Sequence, residues 1–249
     1  MTLTDRFVVS KAWHHPWHYR LLEGALKEAS YEVTVCDLPS TGDKQPVKDI
    51  WADVDAIKRA VNSYLDRGIN VTLVMHSLGG FTGSAAVQGL SIHDRNGLAG
   101  ITSLVYLCAF VADEGISVLS ANGGSHAPFV RSLGQSGWLA ADNPPSTPHE
   151  IFYSDLPREI QEANVNRLRL FSEGACHTPN PYAAWKHVES NYLICELDQA
   201  IPAQMQEMML GQPGGKWKRV EKMEAAHSPF ISKPEETAVF VRRCAGEIL

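Results

Sequence analysis

Three observations predict an α/β fold with a mainly parallel central sheet and helices on both faces. Apolar runs with little alternation recur along the chain, as strands covered on both faces require. Stretches with apolar residues at helical spacing lie between them. Strand and helix alternate, the order that builds a parallel sheet. With 249 residues the chain can form one large domain around a sizeable core.

The elements follow in order. Phe7-Val8-Val9 is a short apolar run that predicts a first strand. Residues 17–29 carry Leu21, Leu22, Ala25, Leu26 and Ala29 at helical spacing. Residues 31–38 predict a strand, with β-branched Val33 and Val35, stopped by Pro39. Residues 47–67 form an amphipathic helix with Ile50, Val54, Ile57, Val61 and Leu65 on one stripe, ended by Gly68. Residues 69–75 and 101–111 are continuous apolar strands, with a small-residue helix over 78–90 between them. A strand over 192–197, a weaker one over 217–220 and a helix over 234–248 complete the series. The crossovers are expected to be right-handed.

Between residues 112 and 189 the rhythm breaks. This stretch has Pro, Gly and Ser clusters, the break Asn143-Pro144-Pro145 and one helical pattern over 157–171. A segment that long is not a plain loop in a compact domain. The expected organisation is a core of residues 1–111 and 190–249 with a mostly helical cap inserted over 112–189.

Composition narrows the functional classes. Lys plus Arg is 22 against 28 Asp plus Glu, a formal charge of −6, and no basic run appears, which argues against nucleic-acid binding. No apolar run approaches the roughly 20 residues of a membrane helix. No signal-like apolar stretch opens the chain, and the five cysteines are odd in number and scattered, so a reduced cytoplasmic protein without disulfides is expected. No Gly-x-Gly-x-x-Gly or Walker loop is present, so no cofactor is expected. The expected partner is a small-molecule substrate; monomer and homodimer both stay open.

The chemistry gathers at three places. Ser77, in Met75-His76-Ser77-Leu78-Gly79-Gly80, follows an apolar strand and precedes a small-residue helix. A sharp strand-to-helix turn there presents the hydroxyl at the carboxyl edge of the sheet. It also sets the Leu78 N–H at a helix N-terminus, suited to an oxyanion. The motif departs from Gly-x-Ser-x-Gly at Met75, and the competing reading is a serine that merely caps a helix. A serine hydroxyl needs a base oriented by an acid. Asp198 ends the strand Tyr192-Leu-Ile-Cys-Glu-Leu, with Glu196 and Asp113 as fallback acids. His227, in Ala226-His227-Ser228-Pro229-Phe230, lies between the last strand and the last helix. The order serine, acid, histidine is the one such elbows use. His14, His15 and His18 crowd together, but Pro16 interrupts them and no carboxylate or Cys joins them, so no metal site is expected.

Taken together the chain resembles the lid-bearing α/β-hydrolases related to plant methyl esterases and hydroxynitrile lyases, and more closely their fungal and bacterial relatives. The resemblance runs nearly end to end. It is carried by Ala12-Trp13-His14-His15-Pro16-Trp17, Cys36-Asp37-Leu38-Pro39-Ser40, the serine elbow, Leu104-Val105-Tyr106-Leu107 with Phe110, Phe152-Tyr153-Ser154-Asp155-Leu156-Pro157, Tyr192-Leu193-Ile194-Cys195-Glu196 with Asp198, and Ala226-His227-Ser228-Pro229-Phe230. It implies an α/β-hydrolase fold, with a second oxyanion N–H from Ala12. Lys11 stands where relatives carry glycine. Ser228 stands where the lyase members carry lysine, which favours ester chemistry over cyanohydrin chemistry.

The expected function is hydrolysis of an ester or lactone of a small, fairly hydrophobic substrate. Lys11, Trp13, His14, Phe110, Trp138, Phe152 and Tyr153 are the candidate pocket residues. Two rivals stand beside it: a lyase or cyclising enzyme of secondary metabolism using the same site, and a ligand-binding receptor on a hydrolase scaffold.

Overall fold

A computed structural model describes residues 6–10 by their main chain, and residues 13–42 and 44–249 fully. The strands are β1 (Arg6–Ser10), β2 (Val33–Val35), β3 (Thr41–Gly42), β4 (Val71–His76), β5 (Ile101–Leu107), β6 (Arg131–Ser132), β7 (Trp138–Ala140), β8 (Leu170–Ser172), β9 (Ser190–Cys195) and β10 (Trp217–Met223). The helices are α1 (Arg20–Glu28), α2 (Trp51–Leu65), α3 (Gly79–Val87), α4 (Val118–Ala121), α5 (Pro148–Tyr153), α6 (Arg158–Val165), α7 (Ala203–Leu210), α8 (Pro229–Ser232) and α9 (Pro234–Cys244).

Six strands form one parallel sheet in the order β10-β9-β5-β4-β1-β2. Every residue of β4 and β9 is buried. Because successive side chains point to opposite faces, burial throughout means that both faces of the sheet are covered there. α1 packs against α9, and α2 against α3. The stripe Val54, Ile57, Val61 and Leu65 of α2 is buried in the core. β10, at the edge, alternates half-buried with exposed residues, which explains its weak signal in the sequence.

Several boundaries move, each for a local reason. The apolar run predicted as one strand over 101–111 leaves the sheet at Cys108, whose φ of 34° ends the extended conformation. Residues 108–111 stay buried all the same, so their apolar character reports burial and not strand. The helical pattern over 157–171 is helix only to Val165; Leu170–Ser172 is β8. The final helix opens at Pro234 as the sequence predicts but ends at Cys244, and the short helix α8 precedes it.

Residues 112–189 hold α4 to α6, three 3-10 turns and three short strands. The strands join β3 in a four-stranded antiparallel sheet ordered β3-β8-β7-β6. The sequence predicts a mostly helical segment with one helical pattern, which α6 matches in part; α4, α5 and this sheet give no such pattern. Its strands of two or three residues are too short to show a period, and Thr41 of β3 pairs with Phe171 of β8, 130 residues further along the chain. Among the described residues no helix is long and apolar enough to cross a membrane.

Candidate active site

The serine turn forms at the carboxyl end of β4. Ser77 has φ 56°, a left-handed value that costs a non-glycine residue energy and needs support from around it. That support is visible. The Phe110 N–H donates to the Ser77 carbonyl at 3.0 Å and the Ser77 N–H to the Leu107 carbonyl at 3.4 Å. A Cβ added at Gly80 would collide with the Phe110 carbonyl oxygen, so the first turn of α3 and the exit of β5 meet in a space only glycine allows. Met75 is accommodated inside β4, fully buried and in register with Ser10 and Tyr106 on its two sides. Trp13 and Cys108, which also follow strand ends, have positive φ of 53° and 34°, so three strained residues gather at one edge of the sheet.

Three distant side chains meet here in the buried interior. His227 Nε2 is 2.9 Å from Ser77 Oγ and its Nδ1 is 2.7 Å from Asp198 Oδ2. With Nδ1–H donating to the carboxylate, Nε2 is left as the acceptor for the serine hydroxyl. Asp198 Oδ1 accepts the N–H groups of Ala200 and Ile201 at 2.7 and 2.9 Å, which fixes the carboxylate in its loop. The fallback acids stand elsewhere. Asp113 pairs with Lys186 at 2.6 Å, and Glu196 is exposed.

Further groups hold these three, and the sequence reading had assigned them no role. Gln206 of α7 is fully buried; its Nε2 donates to the Cys195 and Ile201 carbonyls, at 3.2 and 2.7 Å, and lies 3.3 Å from Asp198 Oδ2. His76 donates from Nε2 to the His227 carbonyl at 2.8 Å and accepts the Tyr19 hydroxyl at Nδ1 at 2.7 Å. The Cys108 thiol, pushed well up by burial, donates to the same carbonyl at 3.4 Å. Asp155 Oδ2 accepts the Ala226 N–H at 2.8 Å. The His227 main chain is therefore gripped on both sides. His76, Cys108 and His227 lie close enough to suggest a metal trio, but all four imidazole nitrogens are already committed to the bonds above. The signal for Asp155 was its motif before α6; Gln206 had none.

Ser77 opens into a narrow, mostly apolar pocket. Trp13, Leu78, Phe110 and Phe152 line it, joined by Phe129, Leu139 and Ile201. Leu78 precedes α3, where the first N–H groups lack partners within the helix, and it borders the pocket beside the serine. Three candidates are corrected. Trp138 lines a separate cleft with Asp37, Lys44 and Arg169, because β7 turns it toward β3. His14 is buried among Tyr19, His76, Phe152 and Phe230, its Nε2 3.5 Å from Ser228 Oγ. Tyr153 is fully buried beside it, and burial pushes its phenol well up. Lys11 and Ala12 lie outside the described residues. Asn122, Ser125 and His126 line the pocket and had no sequence signal.

A profile of the alpha/beta hydrolase family matches residues 12–239. The chain is 30% identical to the alpha/beta hydrolase nvfD of Aspergillus novofumigatus, over 97% of this chain and 96% of that one. It is 25% identical to the probable hydrolase R7 of a Phoma species, over 89% of each. Among solved structures, a pyrethroid hydrolase from Sphingobium faniae superposes with a TM-score of 0.78 at 23% identity, covering 98% of this chain and 97% of that one. Polyneuridine aldehyde esterase superposes at 0.75 with 17% identity, covering 96% and 98%. Methylesterase MES16 from Arabidopsis superposes at 0.70 with 20% identity, covering 97% and 99%.

Proposed function

The chain belongs to the alpha/beta hydrolase family, and from that premise we propose that it is a serine esterase or lactonase acting on a small, mainly apolar substrate. The observation that carries this reading is the continuous hydrogen-bonded line from Ser77 Oγ through the His227 imidazole to the Asp198 carboxylate. Ser77 attacks the acyl carbonyl as His227 Nε2 takes its proton. Asp198 holds the ring in the required tautomer and stabilises the imidazolium. The Leu78 N–H binds the oxyanion, with Ala12 as the second donor that the family resemblance implies. His227 then protonates the leaving oxygen, and water repeats the sequence on the acyl-enzyme. The apolar pocket supports a fairly hydrophobic acyl or alcohol group, and the lining of that pocket by Val118, Phe129, Leu139 and Phe152 beside Ser77 supports reading residues 112–189 as a lid.

The test is fluorophosphonate labelling with mapping of the modified residue, alongside turnover of p-nitrophenyl acetate. Labelling at Ser77, and loss of both signals in Ser77→Ala, are expected. Unchanged turnover in that variant rejects the reading. Tight binding of a ligand without turnover, together with a ligand-dependent protein partner, supports a receptor instead.

A further inference from the structure

The pocket over Ser77 is apolar along most of its wall, but one stretch is not. Asn122, Ser125 and His126 all line it, brought together by the turn at Gly123 and Gly124, whose φ values are 70° and 85°. The polar atoms of this stretch are committed on one side only. Asn122 Nδ2 donates one N–H to the Val118 carbonyl at 3.1 Å, which leaves its Oδ1 as an acceptor and its second N–H as a donor. His126 Nε2 lies 3.0 Å from Glu173 Oε1, so the ring proton sits on Nε2 and Nδ1 of the neutral imidazole is an acceptor too. Glu173 is itself placed by Ser132, whose hydroxyl donates to Oε2 at 3.3 Å. His126 and Glu173 are both partly buried, with side chains 21% and 27% exposed, so the pair is shielded from full solvent screening.

Chemically this stretch presents the Asn122 Oδ1 and His126 Nδ1 acceptors beside the second Asn122 amide N–H, with the Ser125 hydroxyl able to play either part. A carboxylate behind the imidazole repels an anion arriving at the same place. An apolar group here would leave these polar atoms without partners once water is displaced. The group that fits is a neutral hydroxyl, which can donate to the acceptors and accept from the remaining donors.

We propose that Asn122, Ser125 and His126 form a subsite for a hydroxyl group that the substrate carries away from its scissile carbonyl. The preferred substrates are therefore hydroxylated, otherwise apolar esters or lactones. The assignment rests on the serine-hydrolase reading above and narrows its substrate class. Glu173 acts through His126 as a positioning residue.

The experiment compares p-nitrophenyl esters of straight-chain acids, plain and ω-hydroxylated, across a series of chain lengths. The readout is the ratio of kcat/KM for each matched pair, which a partly misfolded preparation leaves unchanged because both substrates lose equally. The native protein is expected to prefer the hydroxy ester about tenfold at the length that reaches the subsite, the scale of one hydrogen bond. In His126→Phe the ratio falls to near one. In Glu173→Gln, ω-carboxy esters gain relative to ω-hydroxy esters, because the repelling charge is gone. A ratio near one at every length in the native protein, or an undiminished preference in His126→Phe, overturns the subsite. Fluorophosphonate labelling of Ser77 in the same preparation reports separately on the serine-hydrolase reading.

Discussion

Asp155 accepts the main-chain N–H of Ala226 at 2.8 Å, although 71 residues separate them. Ala226 precedes His227, so a carboxylate from residues 112–189 secures the loop that carries the base. The same loop is held from the other side by His76, through the His227 carbonyl. Asp155→Ala removes the acceptor and leaves a buried N–H unpaired, a cost of about 1–3 kcal/mol. We expect kcat to fall about tenfold with little change in KM, since the base and not the pocket is displaced. Asp155→Asn keeps an oxygen at that position and recovers part of the loss. Steady-state kinetics on one ester checks both variants; an Asp155→Ala protein with native kcat rejects the role.

Asp198→Asn tests the acid. The amide cannot both accept from Ala200 and Ile201 and keep the His227 tautomer that frees Nε2 for serine. A loss in kcat on the order of 10^4 is expected, the scale for this substitution in a comparable triad. Circular dichroism and thermal melting should be close to native, which separates the chemical effect from misfolding.

Gly80 tests the elbow. Its missing Cβ is what lets α3 approach the Phe110 main chain, and that chain in turn donates to the Ser77 carbonyl. Gly80→Ala forces backbone apart on both sides. A stability loss of about 1–3 kcal/mol, the usual scale of overpacking, should appear in urea unfolding, with activity lost in step.

Asp53 offers a pH test away from the site. Its carboxylate is fully buried on α2 and accepts both the N–H and the hydroxyl of Ser40, yet burial outweighs those bonds and raises its pKa from 3.8 to about 6. The folded state therefore holds this proton more tightly than the unfolded chain. The stability it contributes is fully present below about pH 3.8 and is lost as pH rises through about 6. The difference of about 2 pKa units corresponds to roughly 3 kcal/mol. Asp53→Asn, which retains an acceptor for the Ser40 N–H, should remove most of that dependence. Urea unfolding at acidic and neutral pH reads it directly, and an unchanged pH slope in the variant counts against it.

The sequence by itself determined the parallel core and the places where chemistry gathers. The runs at β4, β5 and β9 are legible because burial on both faces imposes a local, continuous apolar signature. Ser77 and Asp198 are legible because each follows such a run, and His227 because it follows the weaker strand β10 at the same edge of the sheet. Only the tertiary structure decided what surrounds them. It placed Gln206 behind Asp198, His76 and Asp155 on either side of His227, and His126 with Glu173 in the pocket wall. It also turned Trp138 and Tyr153 away from that wall. The physical reason is range. Periodicity records whether a residue is buried. Which partner it meets depends on how elements tens of residues apart are set against one another, and that is fixed only when the core closes.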